Sequence, residues 1–385
     1  MLLLAGDIGG TKALLQLIEY QPADGHVPAE IHIIGQQRFL CQHFESLDAI
    51  IQTFLLSFNP LHKSIASACF GLPGPVMGRR VQLTNLPWMV DADELEAACS
   101  LSEVHFINDF HAAALGVSNL SANAVETLLP AALSVEAVQY SPCEIQNHYL
   151  VVGAGTGLGV APVFFDGLQA LPVAHEGGHF DFAPISETQQ CLLRWLWQRF
   201  EHVSYERVLS GPGLETLYEF FSRFDCPPTY SLTASQKLQK NRLESSQNSE
   251  VGADIAESMP ACRLNPMDKV FKQVSAAQIQ QLADGGDATA IKAMTEFVTI
   301  YGAFVGAAAL FWNAPQGVYL AGGVATKIRH WMRQPCFKQA YLEKGRMQGI
   351  VESRPVFLVT DENLGLGGAM QFNLQRMTER ISTQT

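Results

Sequence analysis

One device occurs twice in this chain. LLLAGDIGGTKALLQLI (residues 2–18) and YLVVGAGTGLGVAPVFF (149–165) each read as an apolar strand, a turn of Gly with Asp or Thr, and a second apolar strand. A glycine turn lets bare backbone N–H groups approach an anion, because no β-carbon stands between them. Two such hairpins, roughly 146 positions apart, predict two related half-domains facing each other across a phosphate. Better-known phosphate motifs do not fit. A Walker A loop needs Gly-Lys-Ser/Thr after four spacers, where Gly6 is followed by Thr11. The dinucleotide motif G-x-G-x-x-G needs glycine where Leu158 and Val160 stand.

The chain has 385 residues, 48% hydrophobic and 16% charged, which predicts a globular protein of more than one domain. Its formal charge of −12 argues against nucleic acid or an acidic membrane as the main partner. A polyanionic substrate must then be held locally, by amides and a cation. Cysteines 41, 69, 99, 143, 191, 226, 262 and 336 are at least 28 positions apart, so neither a zinc site nor a dense disulfide frame is expected. Scattered thiols suit a reducing cytoplasm. Met1 runs straight into a strand, so a signal peptide is not expected. Residues 297–326 lack charge and carry Gly302-x-x-x-Gly306, but the continuous apolar part ends at Trp312 after about 16 residues. A helix buried against a sheet is expected there, with Gly and Ala permitting close approach, and no membrane span.

Up to about residue 115, strand and helix signals alternate. IHIIGQQRFL reads as a third strand, 46–58 as a helix with Ser46 as its N-cap, 64–76 as a strand ending in a Gly-Pro loop, DADELEAACSL as a helix, and EVHFIN (103–108) as a buried strand. That order predicts an open, mostly parallel α/β sheet. Residues 118–147 are weakly patterned. Residues 187–221 and 275–312 read as helices, 317–327 as strand, turn and helix start, and 365–377 as a final helix. Between Asp225 and Asp268 the composition turns polar, which reads as an inserted flap or solvated loop.

Asn108 and Asp109 close a strand and precede a helix, where ligands of open α/β sheets lie; both also suit a plain helix cap. HEGGH (175–179) spells the zinc-protease pattern, but that pattern needs a helix, and two central glycines cost about 1 kcal/mol each there. A Gly-Gly loop presenting Glu176 and His179 to a small ligand is the better reading. Glu206 falls in VSYERVLSGPG, read as a helix terminated by glycines.

Together these stretches resemble bacterial glucokinases, of the hexokinase branch of the actin-like ATPase superfamily. GDIGGT, INDF (107–110), GAGTGLGVA (153–161), EGGHFDFAP (176–184), ERVLSGPGL (206–214), LAGGV (320–324) and GLGGA (365–369) carry the resemblance, in family order along nearly the whole chain. Lys12 stands where the family more often has Asn, and the 225–268 segment is longer than usual. The resemblance implies an α/β, actin-like ATPase (ribonuclease H-like) fold with two α/β domains around a central cleft. A small domain would span 1–117, completed by a C-terminal helix at about 365–385, and a large one 118–364. The implied reaction is phosphorylation of D-glucose on its 6-hydroxyl by Mg-ATP, giving glucose 6-phosphate and ADP.

By the same resemblance Asp109 would be the general base, with Asn108, Glu176, His179 and Glu206 completing the sugar site. Gly6, Asp7, Gly9, Gly10, Thr11 and Lys12, then Gly155, Thr156 and Gly157, then Gly322 and Gly323, would hold the nucleotide. Mg²⁺ would sit at Asp7, directly or through water. A cytoplasmic homodimer is implied, with glucose and ATP as partners. Three rivals remain: a kinase for another hexose or an N-acylhexosamine, a sugar-sensing regulator without catalysis, and an actin-like or heat-shock-type ATPase acting on protein. A sugar panel separates the first, and sugar-independent ATP turnover would mark the last.

Overall fold

Leu2–Ile8 (β1) is buried along nearly all its length because it has neighbours on both sides, as its unbroken apolar run requires. Lys12–Gln21 (β2) returns antiparallel to it, Ile8 opposite Ala13, and Glu30–Leu40 (β3) pairs outside β2. Ile65–Leu72 (β4) joins the other side of β1 in parallel. Arg80–Gln82 (β5) and Met89–Asp91 (β6) form a separate ribbon, and Val104–Asn108 (β7) extends the main sheet to the order β3-β2-β1-β4-β7. This computed structural model describes residues 1–23, 29–132, 146–173, 175–230, 263–264 and 274–384.

The second sheet repeats the pattern. Val125–Leu129 (β8), Tyr149–Ala154 (β9), Leu158–Phe165 (β10) and Ala170–Pro172 (β11) are followed by the small pair Phe224–Asp225 (β12) and Arg263–Leu264 (β13). Gly317–Ala321 (β14) and Val356–Val359 (β15) complete the order β11-β10-β9-β14-β15-β8. Taken from the edge, both sheets run antiparallel, antiparallel, parallel, parallel; β8 is one extra antiparallel edge strand. The two related α/β halves expected from the paired hairpins are present.

Local signals explain the helices that frame the site. Ser46 caps Leu47–Phe58 (α1) by accepting from Ala49 N, and Asp91 caps Ala92–Cys99 (α2), each worth about 1 kcal/mol. Asp109–Gly116 (α3) starts where β7 stops. The C-terminal helix Leu364–Gln384 crosses back onto the first sheet, setting Leu366, Ala369 and Met370 among Leu3, Ala5, Ile107 and Ala112. Buried Asn373 ties it down, donating to the Leu4 carbonyl at 2.7 Å and accepting from Ser67 Oγ at 2.9 Å.

Helix Ala288–Phe311, at 24 residues, is long and apolar enough to cross a bilayer, yet 78% of its most apolar stretch is buried inside the protein. The Gly302-x-x-x-Gly306 pair serves packing: β-carbons there would lie 2.3 and 2.4 Å from the Phe337 and Tyr341 carbonyl oxygens. Two readings need correction. Half-buried β8 lies within the stretch whose pattern was too weak to show a strand. VSYERVLSGPG is no helix ended by glycine: Tyr205–Arg207 is one 3-10 turn, and Gly211 and Pro212 begin helix Gly211–Arg223 under a Ser210 cap. Most of 225–268 lies outside the described residues. Cys41, Cys69, Cys99, Cys191 and Cys336 are free thiols, whereas Cys226 is disulfide-bonded to a partner outside the described residues.

Candidate active site

The ends of β1, β4 and β7 meet α3. In the parallel ladder Asp7 pairs with Gly71, and Leu72 pairs with Asn108, so the three strand tips share one edge. Asn108 leaves β7 in extended conformation and caps α3, its Oδ1 accepting from Phe110 N at 2.9 Å and His111 N at 3.2 Å. Its Nδ2 donates to the Gly74 carbonyl at 2.9 Å, which leaves one amide proton for a ligand. Capping and ligand binding are therefore compatible uses of one side chain. Asp109 is the first residue of α3. Its Oδ1 accepts from Phe110 N at 2.8 Å, while Oδ2 has no protein partner among the described residues.

Asp7 stands beside it. A β-carbon on Gly365, at the start of the C-terminal helix, would lie 2.8 Å from Asp7 Oδ2, so that helix closes over the carboxyl. Burial, and then the negative charge of Asp109, push the Asp7 carboxyl up to about 6. Burial also raises Asp109, and the Phe110 N–H partly offsets the rise. No cluster of three or more His, Cys, Asp or Glu able to hold a metal occurs among the described residues. Two repelling carboxylates with free oxygens nevertheless fit Mg²⁺, which binds through one or two carboxylates and takes its remaining ligands from water and phosphate.

The first glycine turn follows directly. Gly9 N donates to the Lys12 carbonyl at 2.8 Å, and the Thr11 carbonyl accepts from Cys41 N at 3.0 Å. Thr11 and Lys12 are exposed and Gly9 and Gly10 half-buried. Gly6 is different: it is buried inside β1, where a β-carbon would lie 2.6 Å from the Phe70 ring. It packs the strand and does not line the turn.

Phe110, one residue after Asp109, joins the halves. Its ring covers both strands of the second hairpin, so that β-carbons on Gly153 and Gly159 would lie 2.7 and 2.3 Å from it. In the turn of that hairpin Gly155 N donates to the Gly157 carbonyl, and Gly211 N donates to the Gly155 carbonyl, each at 2.8 Å. Thr156 is exposed at the tip. Gly322, at a φ of 88°, packs where a β-carbon would lie 2.8 Å from the Ala154 carbonyl oxygen, bringing the Gly322–Gly323 turn beside Gly155. Both are exposed.

Glu206 reaches the same hairpin. Its Oε2 accepts from Leu158 N at 2.9 Å, and a β-carbon on Gly157 would lie 2.5 Å from that oxygen. Glu176–His179 folds over the neighbouring strand. Gly177–His179 is a 3-10 turn, so His175 and His179 do not share a helix face, and Gly178 sits where a β-carbon would be 1.9 Å from the Leu158 carbonyl oxygen. The backbone bond from Tyr205 N to the Phe180 carbonyl, 2.9 Å, ties this loop to the Glu206 turn. Glu176 and His179 are exposed, and their side chains have no hydrogen-bond partner among the described residues.

Sequence reasoning missed Thr84 and Asn85, in the loop between β5 and β6. A β-carbon on Gly10 would lie 2.7 Å from Asn85 Cβ, and one on Gly74 would lie 2.8 Å from Thr84 Cγ2. The loop thus braces the first glycine turn and the residue that holds Asn108. Its only signal is an Asn-x-Pro turn, too common to mark a site.

Known proteins resemble this chain along nearly its whole length. The sequence model of the family described as Glucokinase matches residues 4–376. A glucokinase of Synechocystis is 33% identical over 374 residues, spanning 95% of this chain and 96% of that protein. One from Nostoc punctiforme is 31% identical over 371 residues, spanning 96% and 97%. The crystal structure of a glucokinase from an Antarctic psychrotroph superposes with a TM-score of 0.71 at 26% identity, covering 96% of this chain and 98% of that one. A ROK family glucokinase from Streptomyces griseus, in complex with glucose and AMPPNP, shares the fold at a TM-score of 0.54 and 17% identity, over 96% and 98% of the two chains.

Proposed function

The chain belongs to the glucokinase family and has the actin-like ATPase fold, and on that footing we propose that its two hairpins and three strand tips form one phosphoryl-transfer site. It is an ATP-dependent glucokinase, converting D-glucose and ATP to glucose 6-phosphate and ADP. The observation that carries the site assignment is the junction at residues 108–110. Asn108 and Asp109 belong to one half, and the next ring packs on the two strands that flank the glycine turn of the other.

Glucose has no charge, so selection rests on directional hydrogen bonds. Asn108 offers one amide proton, Glu176 and Glu206 offer acceptors, and His179 serves as either. An acceptor left unpaired by an inverted or missing hydroxyl costs affinity in a partly desolvated site. Asp109 Oδ1 is anchored by Phe110 N–H, which aims the free Oδ2 at the 6-hydroxyl. The transition state is loose, so Asp109 orients the hydroxyl and takes its proton late. Backbone amides of the 9–12 and 155–157 turns align the triphosphate and offset its charge, with Gly322 and Gly323 on the adenosine side. Mg²⁺ at Asp7 would supply charge neutralisation at the phosphate oxygens. Closure of 1–117 with the C-terminal helix against 118–364 would exclude water, the competing acceptor.

The family resemblance also supports a cytoplasmic homodimer. A coupled phosphorylation assay over glucose, mannose, fructose and N-acetylglucosamine, with and without Mg²⁺, tests the whole reading. The expected result is Mg²⁺-dependent turnover with glucose preferred; a tenfold or greater preference for another sugar overturns the substrate.

A further inference from the structure

The sugar site read above is rich in acceptors and poor in donors. Each hexose hydroxyl gives one proton and also accepts, so a selective site supplies both kinds of partner. Glu176 and Glu206 only accept, Asn108 has one amide proton to give, and neutral His179 gives one. A donor that nothing in the fold uses stands beside them. His179 and Glu206 line a recess of about 360 Å³ together with Arg199, Glu201, His202 and Arg207. Two of its basic groups are spent. Arg199 donates through both Nη atoms to Glu219, at 2.8 and 2.6 Å, and His202 pairs with Asp181 at 2.9 Å. Arg207 is not spent. Its backbone N–H donates to the Ser204 carbonyl at 3.1 Å, but its guanidinium has no hydrogen bond or ion pair among the described residues.

The Arg207 guanidinium lies over the Phe200 ring, 4.2 Å from the centroid. Such a contact uses the face of the cation, whereas its N–H groups lie in the plane and stay available. The charge balance of the recess decides what those donors take. With Arg199 neutralised by Glu219, one cation, Arg207, faces two carboxylates, Glu201 and Glu206. A phosphate or carboxylate ligand is therefore disfavoured, and a neutral polyhydroxyl ligand fits. We propose that Arg207 is a further sugar-binding residue, whose guanidinium donates to hydroxyl oxygens on the edge of the glucose ring farthest from O6. This rests on the sugar-site reading. With O6 on Asp109 of the first half, the second half receives carbons 1 to 3, because carbon 2 stands opposite carbon 5, which bears carbon 6. A hydroxyl there gives its proton to Glu206 or His179 and accepts from Arg207, so hydrogen in its place leaves both partners unpaired.

Arg207→Met keeps an unbranched stem over Phe200 and removes every donor, and Arg207→Lys restores a charge and a donor without the planar fork. In Arg207→Met the glucose KM should rise about tenfold, the usual size for a hydrogen bond from a charged group. The kcat and the ATP KM should stay as in the parent, because the contact is equal in ground and transition states. Arg207→Lys should recover part of the loss. Deoxy sugars supply a readout that a merely structural role would not move. The penalty of Arg207→Met should persist on 4-deoxyglucose. It should shrink to about threefold or less on at least one of 1,5-anhydroglucitol, 2-deoxyglucose and 3-deoxyglucose, whichever lacks the oxygen that the guanidinium meets. An equal penalty on all these sugars overturns the proposal, since Arg207 would then act through the fold or its field. So does an unchanged glucose KM in Arg207→Met when His179→Ala raises it. If neither substitution moves the glucose KM, the sugar-site reading falls and this proposal falls with it.

Discussion

The two glycine hairpins share topology and differ in chemistry. In the first, Asp7 occupies the last turn of β1, faces Asp109 and is covered by the C-terminal helix. In the second the corresponding place, after Gly153, holds Ala154, whose N–H donates to the buried Tyr301 hydroxyl at 3.3 Å. The nearby acid there is Glu206, which comes from outside the hairpin and spends one oxygen on Leu158 N. One frame thus offers amides alone, and the other offers amides with a strained carboxylate. A duplicated fold can separate the two tasks of phosphoryl transfer: on the proposed reading both halves would hold anions, and only the first would handle the cation and proton.

Asp109→Ala should break the asymmetry most severely. Removing a general base from the first half should reduce kcat about 1000-fold, within the usual range for acid–base groups, while calorimetry still detects weakened glucose binding. An unchanged kcat would remove Asp109 as the base.

Asp7→Asn comes next, with opposite effects on activity and stability. If Asp7 holds Mg²⁺ as proposed, turnover should fall about 100-fold because that preorganised partner is gone. The ligand-free protein should become more stable. Since folding raises the Asp7 carboxyl from 3.8 to about 6, the folded state disfavours its charge. That penalty is absent below about pH 4 and complete above about pH 6, so the gain at pH 8 should reach about 3 kcal/mol and vanish in acid. Thermal melts at pH 4 and pH 8 measure it. A lower melting temperature for the variant at pH 8 would mean that Asp7 is held by attractions that outweigh burial.

Gly157→Ala probes whether the second hairpin serves sugar as well as phosphate. The new β-carbon meets the Glu206 carboxylate, a movable group, so the fold should survive while Glu206 loses Leu158 N. The glucose KM should rise about tenfold, or 1.4 kcal/mol, more than the ATP KM. A rise confined to ATP would place Glu206 outside the sugar site.

How much of this was legible depended on how local the cause was. The hairpins were readable because apolar strand runs and glycine turns are local signals, and Asn108 was readable because a cap and a strand tip are the same place in the chain. Glu206 was misplaced: the glycines of VSYERVLSGPG read as the end of a helix, although Ser210 followed by Pro212 in the first turn marks a start. The unusual state of Asp7 could not be read, since it depends on Gly365 and on Asp109, both distant in sequence. Asn85 was hidden for the same reason, because its meaning is its contact with Gly10.

The smallest effect discriminates most finely between the two turns. Neither Gly10 nor Gly155 has a positive φ, so alanine is allowed by the backbone at both. At Gly10 the β-carbon would lie 2.7 Å from Asn85 Cβ, an atom with little freedom to retreat. At Gly155 nothing lies within 4 Å, so the only thing a methyl group can meet is what enters the cleft. Gly155→Ala should therefore leave the melting temperature within about 1 °C of the parent, given that surface changes away from special features stay within about 0.5 kcal/mol. Its ATP KM should nonetheless rise about fivefold, because a methyl group keeps phosphate from the amides. Gly10→Ala should do the reverse, lowering stability before it affects ATP. If Gly155→Ala binds ATP as the parent does, the second hairpin is not a phosphate cradle, and the likeness between the halves is architectural only.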